Sequence, residues 1–483
     1  MNLKELLQGI SAKIYGKVPT LEVRNFTRDS RCVGVGDIFI ACRGEQHDGN
    51  DFSADAVERG AIAILSSFYN PFLSIVQIVT SCVEQLEAEL AAKFYGRPSE
   101  KLEVFGVTGT NGKTTVTYMI KALLDHSHKP AGLIGTIEHI LGEGSIHDSF
   151  TTPSACLLQK YFAEMVKNRR KAVAMEVSSI GLELNRTAQT SFDVGILTNV
   201  TLDHLDFHGT LENYLTAKEK LFSQLPKNGC AVINADSPYA SRFCSIASSH
   251  CVTYGIEEAA EYRACDLQLS LLGTRYTLVH RGKSYLCKSP LIGRYNVYNT
   301  LAAIAAVHER SNQELPELLV ALENAPLPKG RLEPVFSGPC PIYIDYAHTP
   351  DALDNVLATL KELMSCQGRV IVVFGCGGDR DRSKRKLMAR VAERYGFSIV
   401  TTDNPRKEDP EVIIHEICEG FTSQKYCVEQ DRKKAILRAI SMASDKDVVL
   451  IAGKGHETYQ IFKHQTLYFS DKQVVNEVLA SYV

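Results

Sequence analysis

The sequence predicts an α/β protein of three domains: a small mixed N-terminal domain, a central parallel-sheet domain and a C-terminal doubly wound, Rossmann-like domain. Its 483 residues exceed what one core ordinarily organises and suggest roughly three domains. From residue 98 onward apolar strand-like runs alternate with helical stretches, the pattern of parallel strands joined by crossover helices. One such run, VFGVTGTNGKTT from Val104 to Thr115, passes from a strand through a glycine turn into a helix.

That stretch has the layout of a phosphate-binding loop. Leu102, Val104, Phe105 and Val107 form the strand, Gly109 and Gly112 the turn, and a helix begins near Lys113. Glycines let backbone N–H groups approach phosphates, a lysine reaches the outer phosphates and a hydroxyl holds Mg²⁺, so ATP or GTP is the expected ligand. The strict spacing asks for glycine where this chain has Val107; Gly106 lies one residue too far upstream. The alternative is a glycine-rich turn in which Lys113 merely faces solvent.

Composition narrows the class. With 45% apolar and 23% charged residues the chain is ordinary globular protein, and a net charge of −3 offers no field for nucleic acid. The 14 cysteines contain no CxxC pair, which argues against a zinc ribbon or a dithiol redox site and for reduced thiols. MNLKELLQGI carries Lys4 and Glu5 among its leucines, unlike a signal peptide, and no stretch approaches the ~18 apolar residues of a membrane span. A cytoplasmic protein without membrane insertion is expected.

In chain order, residues 1–97 read as a loop-rich domain, with a helix from Leu3 to Gly9, a helix–strand pair from Ala54 to Leu65, and Gly34, Gly36, Gly44 and Gly49 breaking the rest. Ser30, Arg31 and the His47-Asp48-Gly49 turn could hold a ligand or simply close local turns. The run EAELAAKFYGRPSEK ends the domain with a helix and a Gly-Arg-Pro stop. Over 98–330 the strand-like runs KAVAMEVSS, FDVGILTNV and GCAVINADS put Glu176, Ser178 and Asn199 at carboxyl ends, where ligands gather in open α/β sheets. Glu176 suits a second magnesium-site acid or a solvated strand edge. Asp203, His204, Asp206 and His208 crowd one turn, compatible with metal ligation or with helix capping.

Pro326, Pro328 and Gly330 in PLPKGRLEPV mark a hinge before 331–483. There PIYIDYAHTP, RVIVVFGCGGDRDRSKR, SIVTTDNPRKEDP and DVVLIAGKGHETYQ each empty from an apolar run into a polar loop. They predict one composite site from Asp345, His348, Arg380, Asp403, Asn404, Arg406, Lys454, His456 and Glu457. FGCGGDRD lacks a third glycine at the spacing of a dinucleotide fingerprint, and no acid follows at the expected distance.

Taken together, GTNGKTT, the TTP of Thr151 to Pro153, EVSS from Glu176, TNVTLDHLDFHG, YLTAK ending at Lys218, NVYN from Asn296, GRLE, DYAHTP and GKGHE resemble the Mur ligases, in order along almost the whole chain. Those enzymes use ATP to add amino acids to the cytoplasmic peptidoglycan precursor, serving cell wall biogenesis, cell shape and cell division. The family's loop has the shorter GTNGKT form, which accounts for Val107. DNPR (Asp403, Asn404, Pro405, Arg406) with GGDRD resembles the branch that adds meso-diaminopimelate to UDP-N-acetylmuramoyl-L-alanyl-D-glutamate. Diaminopimelate carries a carboxylate that lysine lacks, and Arg406 offers it a bidentate cationic partner.

The resemblance implies a set of roles. Ser30, His47 and Gly49 would meet the UDP portion, and Thr151, Thr152, Ser178 and Arg186 the muramoyl dipeptide. Gly109, Thr110, Asn111, Gly112, Lys113, Thr114 and Thr115 would cradle ATP, with Asn299, Arg331 and Asp345 completing that site across the domain boundary. Thr114, Glu176 and His204 would serve Mg²⁺. Lys218 matches the lysine that the family carbamoylates with CO₂, so that a cation becomes an anion able to support the metal. Arg380, Asp403, Asn404, Pro405, Arg406, Gly453 and Glu457 would hold diaminopimelate. A monomer is expected. The chain departs from the family pattern at Ile180, where a histidine often stands, and at Leu184.

The implied chemistry passes the γ-phosphoryl group of ATP to a carboxylate, giving an acyl phosphate that the incoming amine attacks. Lys113, Glu176, His204 and Lys218 are the expected catalytic group. The same ligase logic occurs in folylpolyglutamate synthetase, against which the N-terminal DSR and HDG motifs and DNPR argue; a nucleotide-gated switch without ligase activity would release no amine-dependent ADP.

Overall fold

Short runs of β-branched and apolar residues build three large sheets, each with its own core. The structure, a computed structural model, describes residues 1–44, 47–147, 150–311, 313–364 and 368–480.

The N-terminal sheet has five strands in the spatial order Lys13–Tyr15, Val76–Val79, Ala63–Ser66, Ile38–Ile40, Phe26–Thr27; the first is antiparallel to its neighbour and the others run parallel. Buried on both faces, Ile38–Ile40 and the first three residues of Ala63–Ser66 are continuous apolar runs rather than alternating ones. The helix Val83–Phe94 packs Leu86 and Leu90 onto Ile38, Ile40 and Leu65. The expected first helix is shorter, Leu3–Leu6, with Asn2 and Glu5 forming a capping box. After the last helix the chain turns through Gly96 and Arg97, both at positive φ, into Pro98.

Eleven strands form the central sheet. Seven run parallel in the order Tyr262–Ser270, His250–Gly255, Cys230–Asn234, Val194–Leu197, Glu103–Thr108, Ala172–Glu176, Ala131–Ile134. The strand that leads into the glycine loop thus lies inside the sheet, and the loop, Glu176 and Thr198 share its carboxyl edge. Gly106 sits within that strand: a Cβ there would lie 2.7 Å from the Phe192 ring, so this glycine makes room for packing rather than for phosphate. The sequence reading of a parallel sheet is incomplete at both wings. Tyr262–Ser270, Gly273–His280 and Lys283–Ser289 make an antiparallel meander on one side, and His139–Gly142 and Gly144–Ile146 one on the other. Buried and exposed residues alternate along Tyr262–Ser270 and Gly273–His280, so one face of that wing is solvated, as antiparallel sheets permit.

The C-terminal sheet follows the order Glu333–Phe336, Ile342–Asp345, Val448–Ala452, Val370–Phe374, Gly396–Val400, Tyr426–Val428, parallel except at Glu333–Phe336. Helices cover both faces and bury two separate apolar layers, one around Leu357 and Val372 and one around Ile371 and Ile436. Arg432 and Asp471 form an ion pair at 2.8 Å with both side chains fully buried, tying the helices Arg432–Met442 and Asp471–Ala480 together. Among the described residues no helix is long and apolar enough to cross a membrane.

Candidate active site

The glycine loop is shaped by what leans on it. Gly109 (φ 145°) and Gly112 (φ 89°) hold backbone conformations that disfavour side chains; a Cβ on Gly112 would lie 2.4 Å from Asn299 Oδ1, and one on Gly109 still closer to Thr198 Oγ1. The helix Lys113–His126 follows at once, so its first N–H groups open towards the loop, an anion-binding geometry. Lys113 Nζ folds back to donate to the carbonyls of Gly109 (2.9 Å) and Thr110 (2.8 Å). Desolvation lowers its pKa, while the carboxylates of Glu176 and Asp203 pull the other way.

A second amine meets the same carbonyl. Lys218, on the helix Leu211–Ser223, donates to Gly109 O at 3.1 Å and lies 4.3 Å from the centroid of the Tyr214 ring, one helical turn earlier. It is 1% exposed, and burial first, then the neighbouring Lys113, push its pKa well below the ordinary lysine value.

Opposite stands Glu176, 1% exposed at the end of its strand. Its Oε1 accepts from Thr136 N (2.9 Å) and its Oε2 from Thr136 Oγ1 (3.1 Å), and Thr136 Oγ1 lies 3.0 Å from Thr151 Oγ1. In the crowded turn both sequence readings hold in part: Asp203 Oδ1 accepts from His204 N, ordinary turn chemistry, while Asp203 and His204 also line the cleft. His208 is buried and turned to Ser179 Oγ (3.0 Å). The oxygen donors Thr114, Glu176 and Asp203 fit the hard-ligand preference of Mg²⁺. Two lysine ammonium groups beside them do not, whereas a Lys218 converted to an anion would.

The C-terminal domain closes the cleft. Arg331 donates to Thr114 Oγ1 at 3.0 Å and stacks over Tyr346 (5.0 Å); Asp345, whose carboxylate accepts from Leu332 N (2.6 Å) and Ala347 N (2.7 Å), fixes the turn that presents it. Burial raises the Asp345 pKa and Arg331 opposes the rise. Asn111 Nδ2 donates to Asp351 Oδ2 at 2.7 Å, and Thr201 Oγ1 reaches the same oxygen at 3.3 Å. The enclosed volume is about 580 Å³, within the range of small-molecule sites.

Beside Glu176 a polar group is already assembled. Thr152 Oγ1 donates to Glu176 O (2.9 Å) and lies 3.1 Å from Ser178 Oγ, while Arg186 donates to Thr152 O (2.9 Å) and sits over Phe150 (4.3 Å). The N-terminal domain is joined here through Glu87, fully buried between Arg28 and the backbone N of Cys156 (3.1 Å).

A separate polar centre occupies the carboxyl edge of the C-terminal sheet. Lys454, fully buried, donates to Glu457 (2.9 Å) and Asn404 Oδ1 (3.1 Å), and Asn404 Nδ2 donates to Glu457 (2.8 Å). Asp403 lies 4.0 Å from Lys454, and a Cβ on Gly453 (φ 108°) would fall 2.6 Å from Asp403 Oδ2. Arg406, at φ 52°, donates through one guanidinium nitrogen to Gly378 O at 2.8 Å.

Family models match the chain in three blocks: the Mur ligase family, catalytic domain over residues 22–94, the Mur ligase middle domain over 107–307 and the Mur ligase, glutamate ligase domain over 330–455. The UDP-N-acetylmuramoyl-L-alanyl-D-glutamate–2,6-diaminopimelate ligase of Chlamydia pneumoniae is 66% identical over 483 residues, covering all of both chains. This chain belongs to the Mur ligase family. A solved structure of a UDP-N-acetylmuramoyl-L-alanyl-D-glutamate–2,6-diaminopimelate ligase superposes with TM-score 0.70 at 33% identity, covering 100% of this chain and 99% of that one. A Thermotoga maritima MurF ligase in complex with ADP shares the fold at 18% identity, TM-score 0.66, over 95% and 97%.

Seen as a Mur ligase, the chain brings together most of the residues singled out in its sequence. Gly109 to Thr115, Asn299, Arg331 and Asp345 line one cleft with Thr151, Glu176, Ser178, His204 and Lys218. Thr152 and Arg186 support its edge. Ser30, His47 and Gly49 lie in the N-terminal domain and do not line this cleft. The single composite C-terminal site divides in two: Asp345 and His348 face the cleft, whereas Arg380, which is exposed, and Asp403, Asn404, Arg406, Lys454, His456 and Glu457 do not line it. The Asp345 carboxylate itself is engaged by the Leu332 and Ala347 N–H groups that shape the Arg331 turn. Sequence reasoning missed Tyr214, Thr136 and Asp351. Tyr214 stands four residues before Lys218 on one helix face, a readable signal; Asp351 reads only as an acid in a helix's first turn.

Proposed function

We propose that this Mur ligase uses ATP to join meso-diaminopimelate to UDP-N-acetylmuramoyl-L-alanyl-D-glutamate, in the cytoplasmic synthesis of peptidoglycan precursor. The relatives carrying that activity in their names match the chain end to end. The observation that carries the mechanism is the meeting of Arg331 and Thr114, which encloses the phosphate loop between two domains, with Glu176 and the Thr152 group on the same cleft. We take 1–97 as the UDP-binding domain, 98–330 as the ATP-binding domain and 331–483 as the amino-acid domain.

A carboxylate resists amines because its charge repels them and oxide does not leave. Transfer of the γ-phosphoryl group from ATP to a carboxylate oxygen releases ADP and makes an acyl phosphate; the amine nitrogen then attacks the carbonyl carbon, the amine proton is lost and phosphate departs. Lys113 neutralises phosphate charge once the nucleotide draws it off the loop carbonyls, and Arg331 does so from across the cleft. Mg²⁺, when bound, would supply further neutralisation from Thr114 and Glu176, with His204 nearby. Burial and the neighbouring Lys113 disfavour the ammonium form of Lys218; once deprotonated, its amine lone pair can attack CO₂, losing a proton to give a carbamate. Ser30, His47 and Gly49 would receive the UDP moiety, and Thr151, Thr152, Ser178 and Arg186 the dipeptide. Arg406 would clamp the distal carboxylate of diaminopimelate, aided by Arg380, Asp403, Asn404, Pro405, Gly453 and Glu457, with the C-terminal domain swinging this group towards the acyl phosphate.

The test is ADP release with the UDP-linked dipeptide and a panel of diaminopimelate isomers and lysine. Release that requires both acceptor and meso-diaminopimelate supports the proposal; release indifferent to the amine contradicts it.

A further inference from the structure

Far from the cleft, at the opposite end of the helix that carries Asn299, two histidines and a glutamate converge. His308 closes the helix Arg294–His308, Glu309 caps it, and His280 ends the neighbouring strand Gly273–His280; one donor atom from each lies within 4.8 Å of the others. Nothing in the ligase reaction uses them.

Their hydrogen bonds fix which ring nitrogens are free. His280 Nδ1 faces the carbonyl of Glu261 at 3.0 Å; a carbonyl only accepts, so Nδ1 carries the proton and Nε2 a lone pair. That Nε2 is buried without a hydrogen-bond partner, on a residue 4% exposed. A desolvated acceptor facing no donor is the unusual feature here.

Tyr262 sets the other two. Its hydroxyl, which has one proton, lies 2.6 Å from Glu309 Oε1 and also against His308 Nδ1. The carboxylate can only accept, so the hydroxyl donates to Glu309 and accepts from His308 Nδ1–H, leaving Nε2 as the free lone pair of His308. Both imidazoles thus donate through Nδ1 to an oxygen and keep Nε2 bare, the arrangement that orients histidine ligands in metal centres. The remaining oxygen of Glu309 lies 3.8 Å from Nε2 of the exposed His250, which offers a fourth donor at the solvent side. The helix C-terminus adds its negative dipole end. Arg281 supplies the opposing positive field.

We propose that His280, His308 and Glu309, with His250 as a fourth donor, form a binding site for a borderline divalent metal of the Zn²⁺ type. Two imidazoles and a carboxylate suit such an ion better than Mg²⁺ or Ca²⁺, which prefer oxygen. The donor set is open for bonds of about 2.0–2.1 Å, so binding would draw the helix end and the strand end together.

The experiment uses full-length protein stripped with chelator and kept in excess Mg²⁺, so that the cleft's oxygen donors are occupied. Co²⁺ is titrated as a visible reporter and Zn²⁺ against a chromophoric indicator. Wild type is expected to bind about one equivalent of Co²⁺ with tetrahedral d–d absorption and to melt at higher temperature with Zn²⁺. His308→Gln should lose both effects, and Tyr262→Phe, which keeps all four donors, should bind on the order of tenfold more weakly. Circular dichroism identifies variants that fail to fold, and His250→Ala, at an exposed position, then serves in their place with weakened binding. Absence of d–d absorption in wild type, or equal binding by wild type and the folded variants, overturns the proposal.

Discussion

Arg331, from the segment joining the central and C-terminal domains, donates to Thr114 Oγ1 at 3.0 Å on the first turn of the phosphate-loop helix. The residues are 217 apart in sequence, so this contact forms only when the two segments meet in the fold.

That pairing predicts energetic coupling. Arg331→Ala and Thr114→Ala should each weaken nucleotide binding, and the double variant should lose less than the sum, by about 0.5–3 kcal/mol. Calorimetric titration with a non-hydrolysable ATP analogue measures the cycle; strict additivity would mean the two side chains act independently.

Lys218 predicts an unusual pH dependence. Its folded-state pKa is lowered, so folding penalises the ammonium form: the penalty is absent above the ordinary value of 10.5 and grows as pH falls towards the folded value. Lys218→Met should therefore be more stable than wild type, by a margin that widens as pH falls through that window, while losing ligase activity. Urea midpoints across the range and a single activity assay check both parts. The comparison is made without added CO₂, because a carbamate would relieve the penalty.

Arg406 predicts selectivity. Arg406→Ala should raise the KM for diaminopimelate by roughly ten- to a hundredfold, the worth of a charged hydrogen bond of about 1.5–3 kcal/mol, with little change in the KM for ATP. Arg406→Lys should restore only part of the loss, because an ammonium cannot match a bidentate fork. Equal effects on both substrates would refute the clamp.

The buried ion pair of the C-terminal domain predicts a stability effect away from the chemistry. Asp471→Ala strands the Arg432 guanidinium in an apolar layer and should cost about 3–5 kcal/mol, read as a lower denaturation midpoint.

How much of this was legible before the fold was known depends on the range of each signal. The loop and its helix follow from local steric rules at Gly109 and Gly112, and the carboxyl-edge positions of Glu176 and Ser178 from apolar runs that end in polar residues. The meander from Tyr262 to Ser289 carried a period-2 burial signature in its first strand, yet alternation alone does not say where it joins a parallel sheet. Asn111 meeting Asp351, and Tyr262 meeting both His308 and Glu309, are products of packing between distant segments, which no local pattern encodes. Asp345 was legible as a site residue at the end of an apolar run, but that its carboxylate shapes the Arg331 turn depends on contacts with the Leu332 and Ala347 N–H groups that only the fold supplies.

The most direct test of the central claim is the rate of ADP release by Lys113→Ala with acceptor, meso-diaminopimelate and ATP all saturating. Loss of the loop cation should lower the rate on the order of 100-fold or more. A rate within about tenfold of wild type, less than ~1.4 kcal/mol of barrier, would contradict phosphoryl transfer at this loop.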